Sequence, residues 1–111
     1  MNKTNIRRFD VYLVRLDPSV GAEMQKTRPC VVISPDIMHR FVRTVIIAPL
    51  TSRQRTDYPT RVRSRFDNHP GEIALDQMRA VDQTRLLKPL GTLDPADALA
   101  LTAALLEMFE Q

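Results

Sequence analysis

The sequence predicts a small, mostly β barrel with one α-helix packed at its C-terminal end. Short apolar runs rich in β-branched residues, such as 44–50 (TVIIAPL), have the length and composition of strands. Polar stretches that contain proline separate these runs, as turns separate strands. Residues 94–111 instead place leucine and other apolar residues at helical spacing. The fold class is therefore mainly β with a C-terminal helix.

Five strands follow from this pattern. We predict them at 9–16, 30–34, 44–50, 61–65 and 72–79. Proline ends the first two, because it cannot donate a backbone hydrogen bond to a neighbouring strand, and Pro49 in the third predicts an edge or a bulge. Asp82 is expected to cap a short helical turn that extends to Leu87.

The C-terminal helix has clear start signals. Asp94 is a natural N-cap, Pro95 suits the first helical position, and Asp97 adds negative charge to the first turn. An apolar stripe follows, formed by Ala98, Leu99, Leu101, Leu105, Leu106, Met108 and Phe109. Such a stripe packs against a core or a second subunit, and we assign it no catalytic role.

Length and composition describe one globular domain over residues 1–111. With 43% hydrophobic and 26% charged residues, the chain has enough apolar side chains for a core. No apolar run approaches the roughly 18–20 residues of a membrane span, and the basic N-terminus lacks the apolar core of a signal peptide. The one cysteine, Cys30, cannot form an internal disulfide. We therefore expect a cytoplasmic protein.

Arginine dominates the positive charge and is unevenly distributed. The chain has thirteen Arg and three Lys. Seven of the Arg lie between Arg40 and Arg65 with a single acid, whereas residues 92–111 contain four acids and no Lys or Arg. A solvated charged surface is one explanation, and a face that binds a polyanion is the other. The preference for Arg favours phosphate, because the planar guanidinium matches phosphate oxygens.

Two polar loops carry groups suited to phosphate at the ends of apolar strands. The first, at 17–29, ends in Arg28-Pro29, and a proline pushes the residue before it toward extended backbone. The second begins with Thr51 and Ser52. If the two strands pair, Arg28 and Thr51 will lie close together.

Other kinds of site have little support in the sequence. His39 and His69 are thirty residues apart, and neither has a cysteine or an acid at the spacing of metal ligands. Glycine is too sparse for a phosphate-binding loop, and Cys30 lies within an apolar strand, where a thiol is normally inert. We therefore predict neither a metal nor a cofactor.

Taken together, these segments resemble the MazF/PemK (Kid) family of toxin endoribonucleases. The matching pieces are DVYLVRLDP at 10–18, RPCVVIS at 28–34, IIAPLTS at 46–52, GEIALDQMRAVD at 71–82 and the closing helix. They cover nearly the whole chain, and their combination is more specific than any one of them.

The resemblance implies an SH3-like β-barrel, a homodimer and metal-independent cleavage of single-stranded RNA by attack of a ribose 2′-hydroxyl on the adjacent phosphate. It implies catalytic roles for Arg28 and Thr51, and for Asp76 as a base. The implied protein partner is an antitoxin with an acidic C-terminal segment. We expect further RNA contacts from Gln25, Lys26, Thr27, Ser52, Arg53, Arg55, Gln77 and Arg79.

Three positions depart from the family pattern. Ala22 stands where some members have a histidine, so that role does not transfer. Lys26 replaces a glycine of the first loop, and Phe9 replaces the glycine before the aspartate of the first strand. We expect the lysine to alter loop conformation and RNA preference, and the phenylalanine to alter packing.

Two alternative functions stay open at this point. Gyrase poisons of the CcdB type share the fold. The FDVY segment at 9–12 and the apolar C-terminal helix of this chain resemble them too. This chain has no tryptophan, however, and it keeps the RP and PLTS pieces that those poisons lack. The second alternative is an inactive family member that only binds its partner.

Overall fold

The computed structural model describes residues 5–54 and 58–110, which form seven strands, four 3-10 helices and one α-helix. The strands are β1 (Asp10–Arg15), β2 (Thr27–Val32), β3 (Thr44–Thr51), β4 (Arg61–Ser64), β5 (Gly71–Ala74), β6 (Arg79–Asp82) and β7 (Leu86–Thr92). The 3-10 helices are Asp36–Arg40, Phe66–Asn68, Leu75–Gln77 and Gln83–Arg85, and the α-helix α1 is Pro95–Phe109. The predicted mainly β fold with a C-terminal helix is confirmed.

The strands form an antiparallel sheet in which β3 has three partners. The order is β4-β5-β3-β2-β1-β7, and β6 pairs with β3 outside this series. Along one edge of β3, residues 44–47 pair with β6, whereas Leu50 and Thr51 pair with β5. Pro49 lies between these two partners and faces Cys30 of β2 along the other edge. Pro49 therefore lies in a central strand and not at the predicted edge or bulge. It stands in the gap between the two partners on that side of β3, where a missing N–H breaks no hydrogen bond to β5 or β6.

The apolar run at the end of β2 contributes to two cores. Cys30 and Val32 belong to one buried cluster, whereas Val31 and Ile33 belong to another. This division follows from strand geometry, because successive side chains point to opposite faces of a sheet. The second cluster also contains Leu101 of α1, so the helix covers that face.

The prediction of one strand at 72–79 is wrong in detail. The 3-10 helix Leu75–Gln77 divides it into β5 and β6. β5 pairs with the C-terminal end of β3 and β6 with its N-terminal end, so the chain has to turn between them. Ile73, Ala74 and Leu75 are consequently all buried, whereas the side chains of a single regular strand would point alternately to its two faces.

The prediction of a helical turn at 82–87 is partly right. The 3-10 helix covers only Gln83–Arg85, and the Asp82 carboxylate caps it by accepting the Thr84 N–H at 2.9 Å. β7 then follows, although it contains Pro89 and Gly91, which disfavour a strand. Register shifts along the β1–β7 pairing accommodate this sequence.

The helix α1 begins where the sequence predicts, at Asp94 and Pro95. Asp97 reaches back to β4, where its carboxylate accepts the Ser64 hydroxyl at 2.9 Å. Leu101 is fully buried, whereas Leu106 is 70% exposed, so the core uses only part of the apolar stripe. No helix within residues 5–54 and 58–110 has the length and apolar character needed to cross a membrane.

Candidate functional site

Arg28 and Thr51 lie opposite each other on neighbouring strands. β2 and β3 are antiparallel, with Cys30 facing Pro49. Continuing that register by two residues places Arg28 opposite Thr51, at the strand ends where the two polar loops join the sheet. The two strands pair, so the condition under which we expected Arg28 and Thr51 to lie close together is met.

A cavity of about 570 Å³, which we call the RP cavity, opens over these two residues. One wall is 25–29, from the first loop and β2, and a second is 50–52, at the end of β3. The third wall is the turn between β4 and β5, and Leu90 of β7 completes the lining. Two of the three predicted catalytic residues, Arg28 and Thr51, therefore line one open cavity.

Arg28 lines this cavity, and its guanidinium carries one buried N–H donor. Its Nε is buried and has no hydrogen-bond partner among the described residues. Burying a polar group without a partner costs about 1–3 kcal/mol, and more when the group is charged. Arg28 lines the RP cavity, and its guanidinium has four N–H donors besides Nε for a phosphate bound there. Pro29 follows Arg28 within β2 and restricts it to extended backbone.

The Thr51 side chain is buried and keeps a free donor. Its Oγ1 accepts the backbone N–H of Arg53 at 3.2 Å, which leaves the hydroxyl proton for another acceptor. Gly71 of β5 packs directly behind Thr51, because a Cβ at position 71 would lie 2.4 Å from the Thr51 carbonyl oxygen. The absence of a side chain at Gly71 therefore sets how closely β5 approaches Thr51.

Lys26 has the backbone conformation that glycine adopts most easily. Its φ is 66°, in the left-handed region. Its N–H donates to the Asp17 carboxylate at 2.9 Å, and its carbonyl accepts the Leu16 N–H at 2.7 Å. These bonds close the base of the first loop and offset a strain of about 1–2 kcal/mol. Phe9, the other position without the family glycine, also has a positive φ, of 76°.

Cys30 is a core residue beside the site. Burial raises the pKa of Cys30 to about 12, and the nearby charges of Arg28 and Arg79 only partly oppose this effect. The thiol therefore stays protonated and unreactive at neutral pH.

Asp76 lies outside the RP cavity. Its carboxylate accepts two hydrogen bonds from Arg61, at 2.6 and 3.1 Å, and one from Thr60 at 3.2 Å. The bonds from Arg61 hold the pKa of Asp76 below its ordinary value. Asp76 lines a separate cavity of about 230 Å³. The structure thus gives it an ion-pair partner and does not bring it to Arg28 and Thr51.

Arg61 connects Asp76 to a second carboxylate. Its Nη1 lies 3.9 Å from Oε1 of Glu72, which is fully buried and accepts no hydrogen bond from the described residues. Glu72 is the residue of β5 that faces Thr51. This ion-pair network therefore supports β5 from the side away from the RP cavity.

The residues predicted to contact RNA do not all line the RP cavity. Four of them line the RP cavity, namely Gln25, Lys26, Thr27 and Ser52. Arg53 is exposed just beyond Ser52. Arg55 lies outside the described residues.

Gln77 and Arg79 hold the first loop against the sheet. The Gln77 side-chain oxygen accepts the Met24 N–H at 3.1 Å, and Arg79 donates to the Leu16 carbonyl at 3.2 Å. Both residues line the smaller cavity with Asp76. Their positions indicate that they shape the loop that carries Lys26.

The turn between β4 and β5 contributes residues that we did not predict for the site. Phe66, Asp67, His69 and Pro70 all line the RP cavity. From the sequence we considered His69 only as a metal ligand. The overlooked signal is His69-Pro70, which repeats the arrangement of Arg28-Pro29, a polar side chain directly before a proline.

The other histidine is structural. His39 is buried, and its ring nitrogens lie 2.7 Å from the Ser34 hydroxyl and 2.8 Å from the Ile6 carbonyl. Across residues 5–54 and 58–110, no group of three His, Cys, Asp or Glu side chains is arranged to hold a metal ion.

The chain is similar over most of its length to curated endoribonucleases. It is 34% identical over 113 residues to endoribonuclease EndoA of Bacillus subtilis, covering 92% of this chain and 97% of that protein. It is 37% identical over 90 residues to endoribonuclease MazF of Staphylococcus saprophyticus, covering 77% of this chain and 75% of that protein.

Solved structures share the fold at lower sequence identity. MazF from Deinococcus radiodurans superposes with a TM-score of 0.80 at 20% identity, over 96% of this chain and 97% of that one. A mycobacterial endoribonuclease in complex with its cognate antitoxin has a TM-score of 0.77 at 24% identity, over 92% of each chain.

The family model for the PemK-like, MazF-like toxin of type II toxin–antitoxin systems matches residues 7–109. The match includes Arg28, Thr51 and the whole lining of the RP cavity. This chain therefore belongs to the PemK-like, MazF-like toxin family of type II toxin–antitoxin systems.

Proposed function

We propose that this protein is a toxin endoribonuclease that cleaves single-stranded RNA and so blocks translation and growth. Its family membership and its similarity to curated endoribonucleases support this activity. In the proposed reaction a ribose 2′-oxygen bonds to the adjacent phosphorus and the bond from phosphorus to the 5′-oxygen breaks. The products are a 2′,3′-cyclic phosphate and a 5′-hydroxyl. RNA specificity follows, because DNA has no 2′-hydroxyl.

The observation that carries this proposal is that Arg28 and Thr51 line the same cavity, where the Arg28 Nε is buried and has no hydrogen-bond partner among the described residues. Arg28 binds the phosphate and stabilises the extra negative charge that develops as the 2′-oxygen attacks. One donor that is positioned in this way typically contributes about 3–4 kcal/mol to transition-state stabilisation. Thr51 donates its free hydroxyl proton to a second phosphate oxygen.

Asp76 has a weaker claim to be the base that the family resemblance implies. Its ion pair with Arg61 keeps the carboxylate occupied and lowers its basicity. We assign it a positioning role, in which the pair with Arg61 fixes the start of the segment that carries Gln77 and Arg79.

The RNA strand is proposed to run through the RP cavity and along its rim. Gln25, Lys26, Thr27 and Ser52 contact the nucleotides at the cleaved bond, and Arg53 and Arg55 hold phosphates further along the strand. Gln77 and Arg79 act through the loop that they anchor. Because Lys26 supplies a charge where the family has glycine, we expect this loop to influence the choice of RNA sequence.

The test is incubation of the purified protein with a panel of single-stranded RNA oligonucleotides in EDTA. We expect cleavage at a defined sequence, and products that end in 2′,3′-cyclic phosphate and 5′-hydroxyl by mass spectrometry. The matched control is the same oligonucleotide with a single 2′-deoxy residue at the cleaved position, which should resist cleavage. Absence of RNA cleavage across the panel would contradict the proposal.

We also propose that an antitoxin inhibits the protein. Its acidic segment would lie over the RP cavity and compete with RNA for Arg28 and Lys26. Such a complex should weaken as salt rises, because salt screens charge pairs at a surface. The natural site of both reactions is the cytoplasm, where messenger RNA is translated.

A homodimer accounts for the apolar surface of α1. Leu106 and Phe109 are 70% and 68% exposed, and they line an apolar cavity of about 990 Å³ together with Phe9, Ile46 and Met78. Exposed apolar area of this kind is typical of subunit contacts. We propose that a second copy of the chain covers it.

Gyrase poisoning is not favoured. The family model and the curated relatives are those of PemK-like and MazF-like proteins. The chain also has no tryptophan. A parallel assay with gyrase and plasmid DNA in Mg²⁺ tests this alternative, and gyrase-dependent DNA breaks without RNA cleavage in the first assay would restore it.

A further inference from the structure

We propose that His69 is the general base that removes the proton from the attacking 2′-hydroxyl. This inference rests on the proposed ribonuclease function and names the proton acceptor that Asp76 does not supply. His69 lines the RP cavity with Arg28 and Thr51. Imidazole is the side-chain group that ordinarily gains and loses a proton near neutral pH.

The turn that carries His69 is held at both ends. At its start, Phe66 packs against β7, where a Cβ on Gly91 would lie 3.2 Å from the Phe66 ring. Within it, Asp67 and Asn68 both have left-handed backbone, with φ of 53° and 63°. The His69 N–H then donates to the Phe66 carbonyl at 2.9 Å. Two consecutive strained residues and this bond indicate that the turn has a defined conformation.

At its end, the turn is anchored directly to the catalytic strand. Gly71 packs against the carbonyl oxygen of Thr51, because a Cβ at position 71 would lie 2.4 Å from that oxygen. Two residues span at most about 7 Å, so the His69 Cα lies no more than about 11 Å from that oxygen. A bound phosphodiester and an imidazole together bridge a gap of this size.

His69 and Arg28 are presented by the same local device. Each precedes a proline that lines the RP cavity, Pro70 and Pro29. Proline restricts the residue before it to extended backbone, and His69 has φ −106° and ψ 116°. The side chain is exposed and free of protein partners in the hydrogen bonds of the described residues, so its nitrogens are accessible to substrate.

The charged groups around His69 are few. Within the RP cavity they are Lys26, Arg28 and Asp67. On the far side of Pro70, a neighbouring cavity holds Arg63, Arg65 and Asp97. Lys26 and Arg28 carry positive charge and cannot accept a proton at neutral pH. Among the described residues that line the RP cavity, only His69 and Asp67 are proton acceptors.

The proton and electron balance is simple. A His69 nitrogen takes the 2′-hydroxyl proton while the 2′-oxygen forms its bond to phosphorus. The 5′-oxygen leaves with the electron pair of the broken bond and takes a proton from water. The imidazolium returns its proton to the resulting hydroxide, so no other reactant is consumed.

The first test is the pH dependence of kcat/KM for the RNA that the wild-type protein cleaves fastest. We expect the wild-type rate to rise with pH as the base loses its proton and then to level off. His69→Gln should lower the rate by about 10²-fold or more and remove that pH dependence, since general-base catalysis contributes about 10²–10⁴-fold. Asp67→Asn is the matched control, because asparagine also tolerates left-handed backbone and should keep the pH profile.

The second test separates a base from a structural residue. Added imidazole should restore cleavage in His69→Ala and should not do so in Arg28→Ala. In a further oligonucleotide, sulfur replaces the 5′-oxygen, so the leaving group needs no proton. Removal of a proton donor would not slow cleavage of this substrate, but removal of the base should, so we expect His69→Gln to cleave it more slowly than the wild type. If His69→Gln cleaves that oligonucleotide as fast as the wild-type protein does, His69 is not the base.

The outcomes of these tests are distinct from failure of the proposed function. If the wild-type protein cleaves no RNA, the ribonuclease proposal fails. If the wild type cleaves RNA and His69→Gln keeps both its rate and its pH profile, only the assignment of His69 is wrong. That assignment is equally wrong if Asp67→Asn, and not His69→Gln, removes the pH dependence.

Discussion

Thr51 shares the RP cavity with Arg28 of β2, and the backbone of Gly71 packs against the Thr51 carbonyl oxygen from β5. The contact between Gly71 and Thr51 joins the strand end that carries the hydroxyl to the turn that carries His69. The shape of the RP cavity therefore depends on how closely β5 approaches β3.

Gly71→Ala should disturb the site without changing any group that touches RNA. The new Cβ would lie 2.4 Å from the Thr51 carbonyl oxygen, so β5 or the end of β3 has to move. We expect a loss of about 1–3 kcal/mol in the free energy of unfolding. Single-turnover cleavage should slow by at least about tenfold, since small displacements of positioned groups are costly.

The control for this variant is Gly21→Ala. Gly21 also has a special conformation, with φ 59°, but a Cβ there meets nothing within 4 Å. Gly21→Ala should therefore introduce backbone strain at position 21 and leave the cleavage rate nearly unchanged. Wild-type stability and rate in Gly71→Ala would show that the close approach to Thr51 is unimportant.

Substitutions at Lys26 should separate its backbone role from its charge. Lys26 has φ 66°, which asparagine tolerates and a β-branched residue does not. Lys26→Val should therefore be less stable than Lys26→Asn by about 1–2 kcal/mol in urea unfolding. Both variants lose the same charge, so any shared change in RNA preference reports on the ammonium group. Equal stability of the two would contradict the left-handed conformation.

Asp76→Asn should mainly reduce stability. The partly exposed carboxylate bonds twice to Arg61, and hydrogen bonds to charged groups contribute about 1.5–3 kcal/mol. Because the ion pair lowers the pKa of Asp76, its stabilisation is complete above the ordinary value near 4 and is lost as pH falls through the lowered value. The difference in unfolding free energy between wild type and variant should be present at pH 7 and shrink in acid.

Cleavage by the same variant distinguishes the two roles considered for Asp76. A positioning residue should leave the pH profile of cleavage intact, with a loss of rate within about tenfold. Loss of activity together with loss of the pH-dependent limb, at unchanged stability, would instead identify Asp76 as the base that the family resemblance implies.

Leu106→Glu should convert the proposed dimer to a monomer. Leu106 lies on the exposed face of α1 and lines the apolar cavity with Phe109, so a charge there would be buried at the subunit contact. Leu99→Glu is the matched control on the same helix, since Leu99 is 74% exposed and lies outside that cavity. Light scattering after size exclusion should give monomer mass only for Leu106→Glu. A dimer in both variants would place the interface elsewhere.

The sequence predicts best the parts of this protein that local patterns determine. The pairing partners Arg28 and Thr51 stand at the ends of two apolar, β-branched runs, and antiparallel pairing of neighbouring runs is enough to bring them together. The start of α1 was predictable for the same reason, because Asp94 and Pro95 are local signals.

Long-range contacts account for most of what was not predicted. β7 contains Pro89 and Gly91, and only the irregular pairing with β1 makes it a strand. The partner of Asp76 is Arg61, which lies fifteen residues earlier in the chain, on β4. His69 reaches the RP cavity because β5 pairs with the last two residues of β3, and no local pattern near His69 specifies that pairing.

The central claim is that Arg28 stabilises the transition state of RNA cleavage. Its most direct test is the single-turnover cleavage rate of Arg28→Ala, measured beside its unfolding free energy. We predict a rate lower by at least about 10²-fold, as for the loss of one positioned donor. Stability should be equal or higher, because the variant removes a buried donor that has no partner among the described residues. A wild-type cleavage rate in a folded Arg28→Ala protein would contradict this claim.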